Sequence, residues 1–108
     1  MEISQYEIYW VNLDPTIGRE MKKKTRPCVI LSPDDMNEFI GTVIVAPLTT
    51  TIKIYPSRVK FILNGKTGMI ALDQIKTIDK ARLQDKVGKL NTATVTLVKK
   101  VIEEMLVL

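Results

Sequence analysis

Histidine is absent from the 108-residue chain, and cysteine occurs once, as Cys28. Without histidine there is no Ser-His-Asp triad and no two-histidine ribonuclease chemistry. One cysteine and no histidine give zinc none of its usual ligand sets, so no metal or cofactor is expected. Cys28 cannot close an internal disulfide and lies inside an apolar run, where a thiol behaves as an inert core group. No apolar run is long enough to span a bilayer. The first residues, Met1-Glu2-Ile3-Ser4-Gln5, are polar and acidic, unlike a signal peptide, so a cytoplasmic protein is expected. Hydrophobic residues make up 45% and charged residues 26%, which excludes disorder and fits a single domain over 1–108. The net charge of +4 is a mild basic excess, a weak pointer to a polyanionic partner.

The chain is organised around Thr25-Arg26-Pro27-Cys28-Val29-Ile30-Leu31-Ser32-Pro33. Cys28 to Leu31 is a continuous apolar run closed by Ser-Pro, the pattern of a buried strand. Pro27 has no N–H and belongs at the strand's first position or on an edge. Arg26 therefore stands where a loop meets a rigid strand. Its planar, permanently charged fork matches a phosphate, and a surface ion pair is the plainer alternative. Residues 15–25 form a long polar connection carrying Glu20, Lys22, Lys23 and Lys24 just ahead of Arg26. Such a lysine run is either a solvated loop or a set of phosphate contacts.

The remaining chain reads mostly as short strands. Glu7 to Leu13 is the first, and Asp14-Pro15 breaks it. Pro33 to Glu38 is an acidic loop or helical turn. Thr42 to Ala46 is β-branched, and Pro47 is expected to stop it. Thr49-Thr50-Thr51 then offers three hydroxyls, either a strand edge or phosphate donors. Ser57 to Leu63 alternates Val59, Phe61 and Leu63 against Arg58 and Lys60, a half-buried antiparallel strand. Asn64-Gly65 is a hairpin signal. Met69 to Leu72 is apolar; Asp73-Gln74 interrupts it as an edge pair or as groove residues, and Ile75 to Ile78 resumes the strand. Asp79 can cap a short turn over Lys80 to Gln84. Asn91 or Thr92 can cap a final amphipathic helix with Val95, Val98, Ile102 and Met105 on one face. Six short strands, one terminal helix and no βαβ rhythm predict a mainly β, α+β fold: a strongly bent antiparallel sheet or open barrel.

Four segments in order resemble a known family. They are Trp10-Val11-Asn12-Leu13-Asp14-Pro15-Thr16-x-Gly18-x-Glu20, Thr25 to Pro33, Val45-Ala46-Pro47-Leu48-Thr49-Thr50, and Asp73-Gln74-Ile75-Lys76-Thr77-Ile78-Asp79-Lys80. Together they look like the MazF/PemK toxins of bacterial toxin–antitoxin systems, over nearly the whole chain. The resemblance implies an SH3-like barrel with a C-terminal helix, working as a homodimer. It implies a sequence-specific endoribonuclease for single-stranded RNA, and a cognate antitoxin whose acidic tail covers the RNA groove. Arg26 matches the family's essential arginine and Thr49 its phosphate-binding threonine. Glu20, Asp73 and Gln74 match groove positions, and Thr50 together with Lys22, Lys23 and Lys24 is expected to contact RNA. One departure stands out. Some members carry an arginine two residues before the matching aspartate, where this chain has Ala71. That removes the proton donor from a mechanism pairing such an arginine with the aspartate as base.

The chemistry agrees with this reading. RNA carries its own nucleophile, the 2′-OH, so neither a protein nucleophile nor a metal is required. A fixed arginine and a threonine hydroxyl can stabilise the charge that builds on the phosphorus oxygens. The base is left open between Glu20, Asp73 and none. Two rival readings use the same barrel: a topoisomerase poison, and a non-catalytic SH3-like binding module. Neither has a use for the grouping of Arg26, Thr49, Asp73 and Gln74.

Overall fold

A computed structural model of the chain describes residues 2–13 and 25–107. The strands are β1 (Glu7–Asn12), β2 (Thr25–Ile30), β3 (Thr42–Thr49), β4 (Arg58–Leu63), β5 (Lys66–Ala71), β6 (Lys76–Asp79) and β7 (Leu83–Lys89). A short helix α1 (Asp34–Phe39) follows β2, and α2 (Thr92–Ile102) closes the fold, running into a π-helical turn at Glu103–Val107. Short 3₁₀ turns occupy Leu72–Gln74 and Lys80–Arg82. No described helix is long and apolar enough to cross a membrane.

Pairing is antiparallel throughout, in the order β4-β5-β3-β2-β1-β7, with β6 also on β3. The centre of the design is β3, which changes partner along its length. Thr42 to Val45 pairs with β6, whereas Leu48 and Thr49 pair with β5. Splitting one strand between two neighbours curls the sheet into a half-barrel.

Two proline expectations are corrected here. Pro47 does not end β3. It lies between the last rung to β6 and the first rung to β5, so its missing N–H removes no rung on that side. Pro27 is neither first in its strand nor on an edge strand. It is the third residue of β2, just short of the β2–β3 ladder, which begins at Cys28.

Both faces of the central strands are covered, which is why Cys28 to Leu31 reads as one apolar run. Val29, Leu31, Ala46 and Leu48 join the cluster beneath α2 with Val98. Cys28, Ile30, Val43 and Val45 join a second cluster with Tyr9, Val11 and Ile78. Burial pushes the Cys28 thiol up to about 12, so it stays protonated and inert.

The hairpin is built as its turn chemistry dictates. Asn64 and Gly65 both take positive φ, 51° and 78°, and the ladder runs from Leu63↔Lys66 to Arg58↔Ala71. Asn91 caps α2 by accepting from the Thr94 N–H at 2.8 Å. Val98 is buried and Val95 and Ile102 pack on the core, whereas Met105 is not among the core contacts. It is 39% exposed and lies in the π-helical turn at Glu103–Val107.

The strand count is also corrected, to seven among the described residues. Leu83 to Lys89 (LQDKVGK) has too little apolar pattern to announce a strand, yet it forms β7 along β1. The expected turn over Lys80 to Gln84 is accordingly shorter and ends at Arg82, with Asp79 capping it by accepting from the Ala81 N–H at 2.8 Å.

Candidate functional site

The fully buried residues Cys28, Val29 and Ile30 fix β2, and Arg26 projects from the exposed start of that strand. Its guanidinium forms no ion pair among the described residues, where the ion pairs are Arg58–Asp73 and Lys86–Glu7. A positioned arginine without a carboxylate partner is a ready anion site.

Thr49 closes β3 nearby. Its hydroxyl oxygen accepts from the Thr51 N–H at 3.1 Å. With that lone pair engaged by backbone, the O–H proton is left to donate outward. Arg26, Thr49, Thr50 and Thr51 share one groove of about 500 Å³ with Asn64 and Lys66 from the hairpin. Its apolar wall comes from Trp10, Pro27, Leu48, Phe61, Leu63 and Val87. No carboxylate lines it among the described residues. The groove is therefore cationic and rich in donors, with an apolar floor.

Gly68 is what lets this floor form. A Cβ there would stand 2.6 Å from the Thr49 carbonyl oxygen and 2.8 and 2.9 Å from two Phe61 ring carbons. Its backbone φ is ordinary, so glycine is needed for close approach and not for conformation.

Asp73 and Gln74 lie on the 3₁₀ turn after β5 and do not line this groove. Arg58 grips Asp73 with two bonds, Nε to Oδ1 at 2.7 Å and a terminal nitrogen to Oδ2 at 3.2 Å. The Ser57 hydroxyl adds a bond to Oδ1 at 3.1 Å. The bond from Arg58 is the chief cause that holds the Asp73 carboxyl below its usual range. Arg58 also lies 5.4 Å from the centre of the Tyr55 ring, and Lys53 lies 5.9 Å from it.

Thus Arg26, Thr49 and Thr50 line one groove, and Asp73 and Gln74 are not among its lining residues. Glu20, Lys22, Lys23 and Lys24 lie outside the described residues. Sequence reasoning passed over Trp10 and Lys66 as groove residues and Arg58 as the partner of Asp73. The signal for Arg58 was present. A two-residue Asn64-Gly65 turn fixes the register, which puts Arg58 opposite Ala71 and so beside Asp73.

Comparison with known proteins gives the fold and the family. Endoribonuclease EndoA of Bacillus subtilis (strain 168) is 33% identical over 100 residues, covering 84% of this chain and 83% of that protein. The crystal structure of MazF from Deinococcus radiodurans superposes with a TM-score of 0.82 over 100% of this chain and 99% of that one, at 23% identity. An endoribonuclease in complex with its cognate antitoxin, from a mycobacterial species, superposes with a TM-score of 0.76 over 95% and 91%, at 22% identity. These two structures share the fold. Residues 4–106 match the family described as the PemK-like, MazF-like toxin of type II toxin–antitoxin systems, and the chain belongs to that family.

Proposed function

We propose that this protein is a toxin-component endoribonuclease that cuts single-stranded RNA, using the substrate's own 2′-OH and no metal. One observation carries the reading: Arg26, unpaired by any described carboxylate, shares a donor-rich, carboxylate-free groove with the Thr49 hydroxyl. Family membership supports the activity, since the relative EndoA bears the name endoribonuclease.

In this mechanism the phosphate flanking the cut sits against Arg26 and Thr49. The 2′-oxygen bonds to phosphorus as the P–O5′ bond breaks. The 2′ proton leaves and the 5′-oxygen gains one, so no net proton is consumed. The products are a 2′,3′-cyclic phosphate and a 5′-OH. Arg26 keeps its charge throughout and stabilises the negative charge that grows on the phosphorus oxygens; the Thr49 O–H donates to the same oxygens. Asp73 is poorly placed to act as a base while Arg58 and Ser57 occupy its oxygens.

The partners follow from the same surface. A carboxylate-free cationic groove suits an acidic segment of a cognate antitoxin as well as RNA. The large apolar side chains exposed along 52–55 and at Leu97, Leu106 and Val107 support a homodimer. A cytoplasmic location fits an enzyme acting on messenger RNA.

The test is cleavage of a long RNA with its ends mapped, in excess chelator, beside an RNA carrying 2′-deoxyribose at the cut position. Cyclic phosphate and 5′-OH ends, persistence in chelator and an uncut deoxy substrate are expected. A metal-activated water predicts the opposite on each count. Cutting of the deoxy substrate at a similar rate overturns the mechanism.

A further inference from the structure

Trp10 is the chain's one tryptophan, and the fold leaves it 41% exposed within an otherwise buried strand. Its β1 neighbours Ile8, Tyr9 and Val11 are 1%, 2% and 0% exposed. Nothing in β1 itself requires a large ring at the surface, and burial is where such apolar area ordinarily goes. The backbone that carries the ring is nevertheless fixed, because Trp10 pairs with β2 and its neighbours Tyr9 and Val11 pair with β7. Trp10 lies opposite Pro27 in the β1–β2 ladder, one rung from Val11↔Arg26. It lines the same groove as Arg26 and Thr49.

We infer that Trp10 is the stacking platform for an unpaired base of the RNA, the base next to the phosphate held by Arg26 and Thr49. This rests on the endoribonuclease reading above and deepens it. Phosphate donors position a strand without reading it, so a groove built only of Arg26, Lys66 and threonines would hold the backbone and leave the bases loose. Single strands are held in register when their bases stack on aromatic side chains beside such a cationic track. Trp10 supplies that face on the apolar side of the groove while Arg26 and Lys66 supply the charge. The other groove aromatic, Phe61, is committed to the floor: its ring lies against Gly68 and leaves no room there even for a methyl group.

The single tryptophan makes the test direct. An oligonucleotide with 2′-deoxyribose at the cut position is titrated against the protein while tryptophan emission is followed. A matched set carries one abasic nucleotide at each position in turn. Emission should be strongly quenched by the intact strand. One abasic position, beside the cut, should abolish the quench and weaken binding by roughly 5- to 150-fold, the range found for loss of one stacked base. In anisotropy with labelled RNA, Trp10→Ala should show the same loss, and that variant should become insensitive to the abasic position. Trp10→Phe, which keeps a ring and the fold, should retain most of the affinity.

Several results overturn the platform while leaving the nuclease intact. They are RNA binding with unchanged emission, a quench no abasic position relieves, and Trp10→Ala binding as tightly as the parent. A quench produced by an acidic antitoxin peptide and not by RNA also overturns it, in favour of a protein side chain as the occupant. Failure to bind RNA at all removes the endoribonuclease reading together with this one.

Discussion

Replacing Gly68 with alanine should damage catalysis through the backbone of Thr49, with no catalytic group touched. The added methyl carbon would stand 2.6 Å from the Thr49 carbonyl oxygen, against an ordinary contact of 3.4 Å or more, so about 0.8 Å must be found. The Phe61 ring, at 2.8 Å on another side, blocks escape in that direction. Thr49 is the paired last residue of β3, opposite Met69, so β3 and β5 must separate at this rung. Overpacking of this size costs about 1–3 kcal/mol, which a domain holding roughly 5–15 kcal/mol survives folded. The Thr49 hydroxyl moves with its backbone, and misplacement by ~1 Å is worth about a hundredfold in rate. Urea unfolding gives the first quantity and single-turnover cleavage of a short RNA the second. Gly41→Ala is the control, because a Cβ there meets nothing within 4 Å. Parental stability and rate for Gly68→Ala would refute the argument. Lost stability with a parental rate would mean that Phe61 yields and Thr49 stays in place.

Arg26→Ala should fold normally and lose roughly a hundred- to thousandfold in cleavage rate, the usual loss of one transition-state donor; a folded variant cutting at near the parental rate would remove Arg26 from the mechanism. Replacing Lys22, Lys23 and Lys24 with alanine should weaken binding to all RNA sequences alike and flatten its salt dependence; an altered cleavage sequence with the same salt slope would contradict phosphate contact. Tyr9 should make the fold alkali-sensitive. Its burial, aided by its hydrogen bond to Glu7, raises its hydroxyl from 10.0 to about 12. The unfolded chain releases that proton near pH 10 and the folded one holds it to about 12, so stability present below pH 10 is lost across this window. Urea midpoints from pH 9 to 12 should fall less steeply for Tyr9→Phe, and parallel curves would refute the assignment.

Much of this fold is legible in the sequence because the deciding forces are local. Asn64-Gly65 needs two left-handed residues and so dictates a hairpin, Asn91 caps a helix it begins, and Cys28 to Leu31 can only be a strand buried on both faces. Arg26 could be named as a candidate because an anchored cationic donor at the start of a strand suits a phosphate, whereas Thr49 was picked out from its two neighbouring threonines only by the resemblance to the family. What sequence could not supply was which groups face one another. Its polar β7 is stable only because β1 is there to pair with it. Pro47 is tolerated within β3 because two partner strands leave a gap beside it. Arg58 reaches Asp73 across a hairpin and a 3₁₀ turn, so the aspartate sits in an ion pair and not among the groove's lining residues. Trp10 is left 41% exposed in β1 and lines the groove, which only the assembled sheet decides. Local propensity and periodicity are properties of a few adjacent residues and are written in the chain. Register and curl are properties of strands far apart in sequence, and they alone decide that Arg26, Thr49, Lys66 and Trp10 share one surface.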